Sequence, residues 1–139
     1  MTHHYAFVSS IILENDQNQY LLIQRPADKP FPHHWEFPGG KIEPKETPVD
    51  ALIRELHEEI GISIDPKDVS PISFSSCQYP GIYCTILYFH SQKWTGEIVL
   101  KEAQPTYGWF TLEEMKALSM PDANYLLFEN LENSRFSGV

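Results

Sequence analysis

Residues 40–62 read GKIEPKETPVDALIRELHEEIGI, and this stretch decides the fold. It sets three glutamates, Glu55, Glu58 and Glu59, near the C-terminal end of an amphipathic helix. Carboxylates four residues apart on a helix repel by roughly 0.2–0.5 kcal/mol. Negative charge in a last turn also opposes the helix macrodipole. A helix that only had to be solvated would more naturally carry Lys or Arg there. The arrangement becomes favourable if a divalent cation sits among the carboxylates, because hard cations such as Mg²⁺ take oxygen ligands.

Residue types bound the helix. Thr47 suits the N-cap, Pro48 the first helical position, and Asp50 an acidic capping box. Val49, Leu52, Ile53, Leu56 and Ile60 recur at helical spacing as one apolar stripe, and Gly61 suits a left-handed stop. At about 100° per residue, the glutamates occupy roughly a 100° arc beside that stripe. One side can pack on a core while the adjacent side presents carboxylates. Taken alone, the glutamates fit an acidic surface helix equally well.

The flanking residues favour the first reading. Gly40, five residues, Glu46, seven residues, Arg54-Glu55-Leu56, one residue, Glu58-Glu59, one residue, then Gly61-Ile62 resembles the signature of the Nudix hydrolases. The resemblance implies a loop–helix–loop that binds Mg²⁺ or Mn²⁺ and hydrolyses a pyrophosphate bond in a nucleoside diphosphate derivative. It makes Glu55, Glu58 and Glu59 metal ligands, with the Gly39 carbonyl a further one. Arg54 and Glu46 would order the loop and orient the glutamates, and Gly40 would give the turn its freedom.

Composition agrees with a single compact enzyme domain over residues 1–139. A hydrophobic fraction of 42% with 13% aromatic residues argues against disorder. A formal charge of −9 argues against a nucleic-acid polymer as partner, since polyanion binding shows a basic patch. It is compatible with a nucleotide whose phosphates reach the acidic site through metal ions. Cys77 and Cys84 form no CxxC pair and no zinc site; their spacing alone does not rule in a disulfide, and buried or half-buried thiols are the expected reading. No basic leader precedes AFVSSIIL, and no run approaches the roughly 18 apolar residues that span a bilayer. A cytoplasmic protein without a membrane partner is expected, as a monomer or homodimer. His3 and His4 are a weak metal signal in a terminus expected to fray.

Strand and helix signals alternate along the rest of the chain. Tyr5–Leu13 and Tyr20–Gln24 read as strands of one hairpin around the turn-rich ENDQNQ. Residues 26–34, with three prolines, read as a surface loop, and Trp35–Phe37 as a short strand. Val69–Gln78, Ile82–Gln92 and Tyr107–Phe110 follow as strands. Thr111 with Glu114 opens a helix over Leu112–Leu118, and a last helix is expected over Ala123–Asn133. The order implies α/β class, with a mixed sheet between helices. The family's α/β/α sandwich is similar.

The resemblance continues outside the helix. Trp35-Glu36-Phe37-Pro38-Gly39-Gly40-Lys41-Ile42-Glu43, Lys93–Glu97, Lys101–Gln104, Trp109-Phe110 and Pro121–Asn124 are similar to the MutT-like branch, which removes oxidised guanine nucleotides, and to its relatives acting on pyrimidine nucleotides. That likeness implies Glu102 as a further metal ligand or the group that activates water. It implies Arg25 near the nucleotide, Phe37 lining the base pocket and Asn124 reading the base edge. Arg25 could equally pair with a surface acid, and Asn124 could equally cap the last helix. Trp35, Trp94 and Trp109 read as core, and His57 takes no catalytic role. Residues 79–84, YPGIYC, hold no basic side chain where the oxidised-guanine branch tends to carry an arginine. The expected reaction is metal-assisted attack on a nucleoside triphosphate, giving the monophosphate and pyrophosphate and so sanitising the nucleotide pool for DNA repair. A pyrimidine triphosphate, ADP-ribose or NADH as substrate, or a non-catalytic nucleotide-binding module, are the alternatives.

Overall fold

Ile11-Ile12-Leu13 and Tyr20–Ile23 are unbroken apolar runs, the pattern of strands covered on both faces. The computed structural model of the protein describes residues 4–29, 31–79, 81–118 and 125–136. It puts these runs in β1 (His4–Leu13) and β2 (Tyr20–Gln24), with all seven residues at most 1% exposed. Alternate side chains enter different cores. Ile11, Leu13, Leu21 and Ile23 pack with Leu52, Leu56 and Ile60 of α1 (Pro48–Ile60). Ile12, Tyr20 and Leu22 pack with Leu112 and Met115 of α2 (Leu112–Lys116) and with Leu127, Phe128 and Leu131 of α3 (Tyr125–Phe136). The strands thus lie between two helical layers in an α/β/α sandwich.

Two sheets make up the middle layer. The larger has the order β4-β1-β6-β5, with β4 over Gly39–Lys41, β5 over Ser70–Tyr79 and β6 over Ile82–Ser91. It is mixed: β1 runs parallel to β6 from His4↔Ile82 to Leu13↔Ser91, and the other pairs are antiparallel. The smaller, β3 (Trp35–Glu36), β2 and β7 (Tyr107–Phe110), is antiparallel.

Four expectations change. β1 and β2 do not form a hairpin ladder; they belong to different sheets, joined at the turn by the antiparallel bridge Glu14↔Tyr20 and by the Asn15 N–H bonded to Gln19 O. The apolar runs Ile11–Leu13 of β1 and Tyr20–Ile23 of β2 each contribute side chains to both cores, which dividing the strands between sheets allows. Gly39-Gly40-Lys41 is a strand as well as a turn, pairing with Ser10, Ser9 and Val8. Cys84 is disulfide-bonded, not a thiol, and Cys77 is its cross-strand partner in the β5–β6 register. His4 is not frayed but opens β1, donating its N–H to Gly81 O at 3.1 Å. Asn124 and the rest of the Pro121–Asn124 segment lie outside the described residues.

The helix at residues 48–60 forms as its sequence directs. Thr47 Oγ1 accepts the Asp50 N–H, the Asp50 carboxylate accepts the Thr47 N–H, and Gly61 closes the helix at φ 76°. Leu56 is fully buried in the middle of its apolar face. Leu56→Ala is expected to cost about 2–5 kcal/mol. Urea unfolding followed by circular dichroism would measure it, and a loss below about 1 kcal/mol would contradict this packing.

Candidate active site

Arg54 organises the carboxylates of α1. Its guanidinium grips Glu46 with two bonds, Nε to Oε2 at 2.6 Å and Nη2 to Oε1 at 2.9 Å, the planar fork that arginine suits and lysine cannot copy. Nη1 donates to Glu55 at 2.9 Å and to Glu58 at 3.2 Å, and Nη2 also reaches the Lys41 carbonyl at 3.1 Å. One cation therefore ties the loop before the helix to two of its acids. The hydrogen bond to Glu46 is the main reason that Arg54 holds its proton even more tightly than usual, and the same contact lowers the Glu46 pKa. Glu46 also accepts the Glu43 N–H at 2.9 Å, which pins the loop.

Glu55 lies against Gly40. A Cβ at residue 40 would fall 2.3–2.6 Å from the Glu55 carboxylate. A side chain there would push the Glu55 carboxylate aside, while the backbone of Gly40 has no positive φ, a correction to the freedom expected of it. Burial raises the Glu55 pKa; Arg54 opposes the shift, and the charges of Glu58 and Glu102 add to it.

Glu59 points inward. It is 7% exposed, and its pKa is pushed up to about 8, first by burial and then by the charge of Glu36. The Gly39 N–H donates to its carboxylate and opposes the shift, while Glu102 and Glu55 raise it further. The contact seen for Gly39 at this site is thus made by its N–H.

Glu102 arrives from a distant loop. Val99 N–H donates to Ile60 O and Lys101 N–H to Glu59 O, both at 3.0 Å, so the loop satisfies carbonyls at the C-terminal end of α1. Glu55, Glu58 and Glu102 consequently offer carboxylate oxygens that all lie within 4.8 Å of one another. Three converging oxygen donors fit a hard divalent cation. Of the four expected acids, the structure brings these three together and sets Glu59 behind them.

The residues expected to meet the nucleotide are arranged differently. Arg25 Nη1 donates to Glu36 at 2.8 Å, so the ion-pair alternative is present in the fold. Phe37 is 6% exposed and packs edge-on against Tyr88, with ring centroids 6.2 Å apart. Trp35 packs on Phe110, and Trp94 stacks on Trp109, as core residues do. Sequence reasoning passed over Glu36, which links Arg25 to the field around Glu59. Its position two residues before Pro38-Gly39 was visible, but the pairing depends on β2 lying beside β3.

A family model described as the NUDIX domain matches residues 4–131. The chain belongs to the Nudix family. Among its relatives, the 8-oxo-dGTP diphosphatase of Escherichia coli K12 is 37% identical over 113 residues, covering 81% of this chain and 85% of that protein. The CTP pyrophosphohydrolase of the same organism is 51% identical over 55 residues, 40% of each chain. The solution structure of the E. coli ORF135 protein superposes with a TM-score of 0.83 at 28% identity, covering 98% of this chain and 94% of that one. This Nudix protein is a hydrolase acting on phosphoric anhydrides.

Two outcomes follow for this Nudix site. Arg54→Lys keeps the charge but loses the fork, and it should lower activity or metal affinity by about 10–100-fold, as measured by turnover against Mg²⁺ concentration. Wild-type Mg²⁺ dependence would contradict the organising role. The second concerns Glu59, whose folded pKa of about 8 lies above the ordinary 4.5. Its ionisation costs stability, which is full below the ordinary value and lost as pH rises towards the folded one. In EDTA, Glu59→Gln should therefore flatten the fall in Tm between about pH 5 and about pH 9. Parallel Tm–pH curves for the two proteins would contradict the burial cost.

Proposed function

We propose that this Nudix hydrolase is a Mg²⁺-dependent nucleoside triphosphate pyrophosphohydrolase, releasing nucleoside monophosphate and pyrophosphate, with an oxidised guanine nucleotide such as 8-oxo-dGTP as substrate. The observation that carries this reading is the convergence of Glu55, Glu58 and Glu102 under the grip of Arg54. Those three carboxylates would hold the metal, with Glu59 and the Gly39 carbonyl as further ligands; Mn²⁺ would serve in place of Mg²⁺. When bound, the ion would neutralise phosphate oxygens and lower the pKa of a water.

The chain's own residues supply the rest. Arg54 and Glu46 hold the acids at the spacing that the phosphates require. Glu102, or a helix carboxylate left off the metal, accepts the proton of the attacking water. Arg25 contacts the nucleotide from its place beside Glu36, Phe37 walls the base pocket, and Asn124 reads the base edge with its donor and acceptor. The sanitising role is supported by the relatives named 8-oxo-dGTP diphosphatase. Among the described residues no helix is long and apolar enough to cross a membrane. Hydrolysis of free nucleotides would place the enzyme in the cytoplasm, as a monomer or homodimer.

A pyrimidine triphosphate is the second reading. It is favoured by the absence of a basic residue from YPGIYC and by the partial match to a CTP pyrophosphohydrolase. Pyrophosphate release across ordinary and oxidised triphosphates, with Mg²⁺ and then EDTA, separates the two. The proposal expects metal-dependent release strongest for 8-oxo-dGTP. Preference for CTP would move the substrate while keeping the chemistry, and phosphate-containing products from ADP-ribose or NADH alone would overturn both. Glu55→Gln should lower turnover by about 100-fold or more with the fold retained. Wild-type turnover would remove Glu55 from the metal site.

A further inference from the structure

Glu102 is exposed, lies on a loop, and faces two carboxylates of its own sign. Left to itself, such a side chain would swing into water, away from Glu55 and Glu58. Glu102 instead sits among them, and its charge helps to raise the Glu55 pKa. Something in the backbone must hold it there. On the N-terminal side, the Lys101 N–H is bonded to Glu59 O, so the residue before Glu102 is tied to the helix that carries the other acids.

On the C-terminal side, Ala103 has φ 48°, a left-handed conformation that a residue with a Cβ adopts at a cost. Gln104 then folds back, and its Oε1 accepts the Glu102 N–H at 3.1 Å. The chain bends at Glu102 and Ala103 between two tethers, the Lys101 N–H bonded to the Glu59 carbonyl and the Glu102 N–H bonded to the Gln104 side chain. Neither Ala103 nor Gln104 is among the clustered acids.

We propose that the Ala103–Gln104 turn is a positioning device, in which the left-handed Ala103 and the Gln104 side-chain amide hold Glu102 against Glu55 and Glu58 and so set the affinity of the metal site. This rests on reading Glu102 as a metal-facing acid. A residue that acts through Glu102 should lose its effect once the Glu102 carboxylate is gone, whereas a residue that merely stabilises the loop should not.

The test is a Mg²⁺ titration of triphosphate hydrolysis for the wild type, Glu102→Gln, Gln104→Ala and the double variant, with Tm in EDTA measured alongside. Gln104→Ala is expected to raise the Mg²⁺ concentration for half-activation about tenfold. The EDTA Tm should stay unchanged, and the substitution should add nothing in the Glu102→Gln background. Ala103→Val, whose branched side chain resists the left-handed backbone, should weaken Mg²⁺ activation about tenfold relative to Ala103→Gly. If Glu102→Gln shifts the Mg²⁺ dependence while Gln104→Ala and Ala103→Val do not, the positioning role is wrong and the reading of Glu102 stands. If Glu102→Gln itself leaves the Mg²⁺ dependence unchanged, the reading of Glu102 falls and takes the positioning role with it. Full additivity in the double variant would also overturn the proposal.

Discussion

The guanidinium of Arg54 is the contact on which the site depends. Glu55 and Glu58 share one helix face, and they would repel each other without a cation close by. Arg54 supplies that cation from the same helix and spends the rest of its fork on Glu46 and the Lys41 carbonyl. The acids are thereby oriented before any metal arrives, at an energetic cost carried by the fold. Ordinary stability would not select such a cluster, whereas a function that needs several oxygen ligands at one point would.

The sandwich makes the cluster possible by fixing what surrounds it. The second half of β1 is buried, and β4 lies beside the strand at Val8–Ser10 and brings Gly40 under Glu55. Ile60 and Ile62 are fully buried, which seats the end of α1. The loop over Val99–Lys101 then bonds to the terminal carbonyls of that helix. Helix capping and the delivery of Glu102 to the other acids are one set of interactions here. The carbonyls that need donors belong to the helix that carries the acids, and the donors belong to the loop that carries Glu102.

The helix was legible residue by residue because its signals are local: Thr47, Pro48, Asp50, the apolar stripe and Gly61 all act within a few positions. The roles of Glu46 and Arg54 were legible for a similar reason, since both lie in one contiguous motif. What the sequence hid was pairing at a distance. Two apolar strands joined by a polar turn usually read as a hairpin, and nothing local shows that β1 prefers β6, almost 80 residues away, in parallel. Glu36 was overlooked for the same reason, and the disulfide of Cys84 could not be ruled in from spacing, because the β5–β6 register that sets Cys84 opposite Cys77 is not local. The inward turn of Glu59 was also hidden, because helical periodicity places it beside Glu58 and cannot show that Gly39 and Glu36 wait behind it.

The central claim is that Glu55, Glu58 and Glu102 form one cation site. The most direct measurement is the anomalous diffraction of crystals soaked in Mn²⁺. The account predicts a peak bounded by oxygens of those three carboxylates, at distances suited to a hard cation. A Mn²⁺ peak elsewhere on the surface, with the three glutamates unliganded, would contradict it.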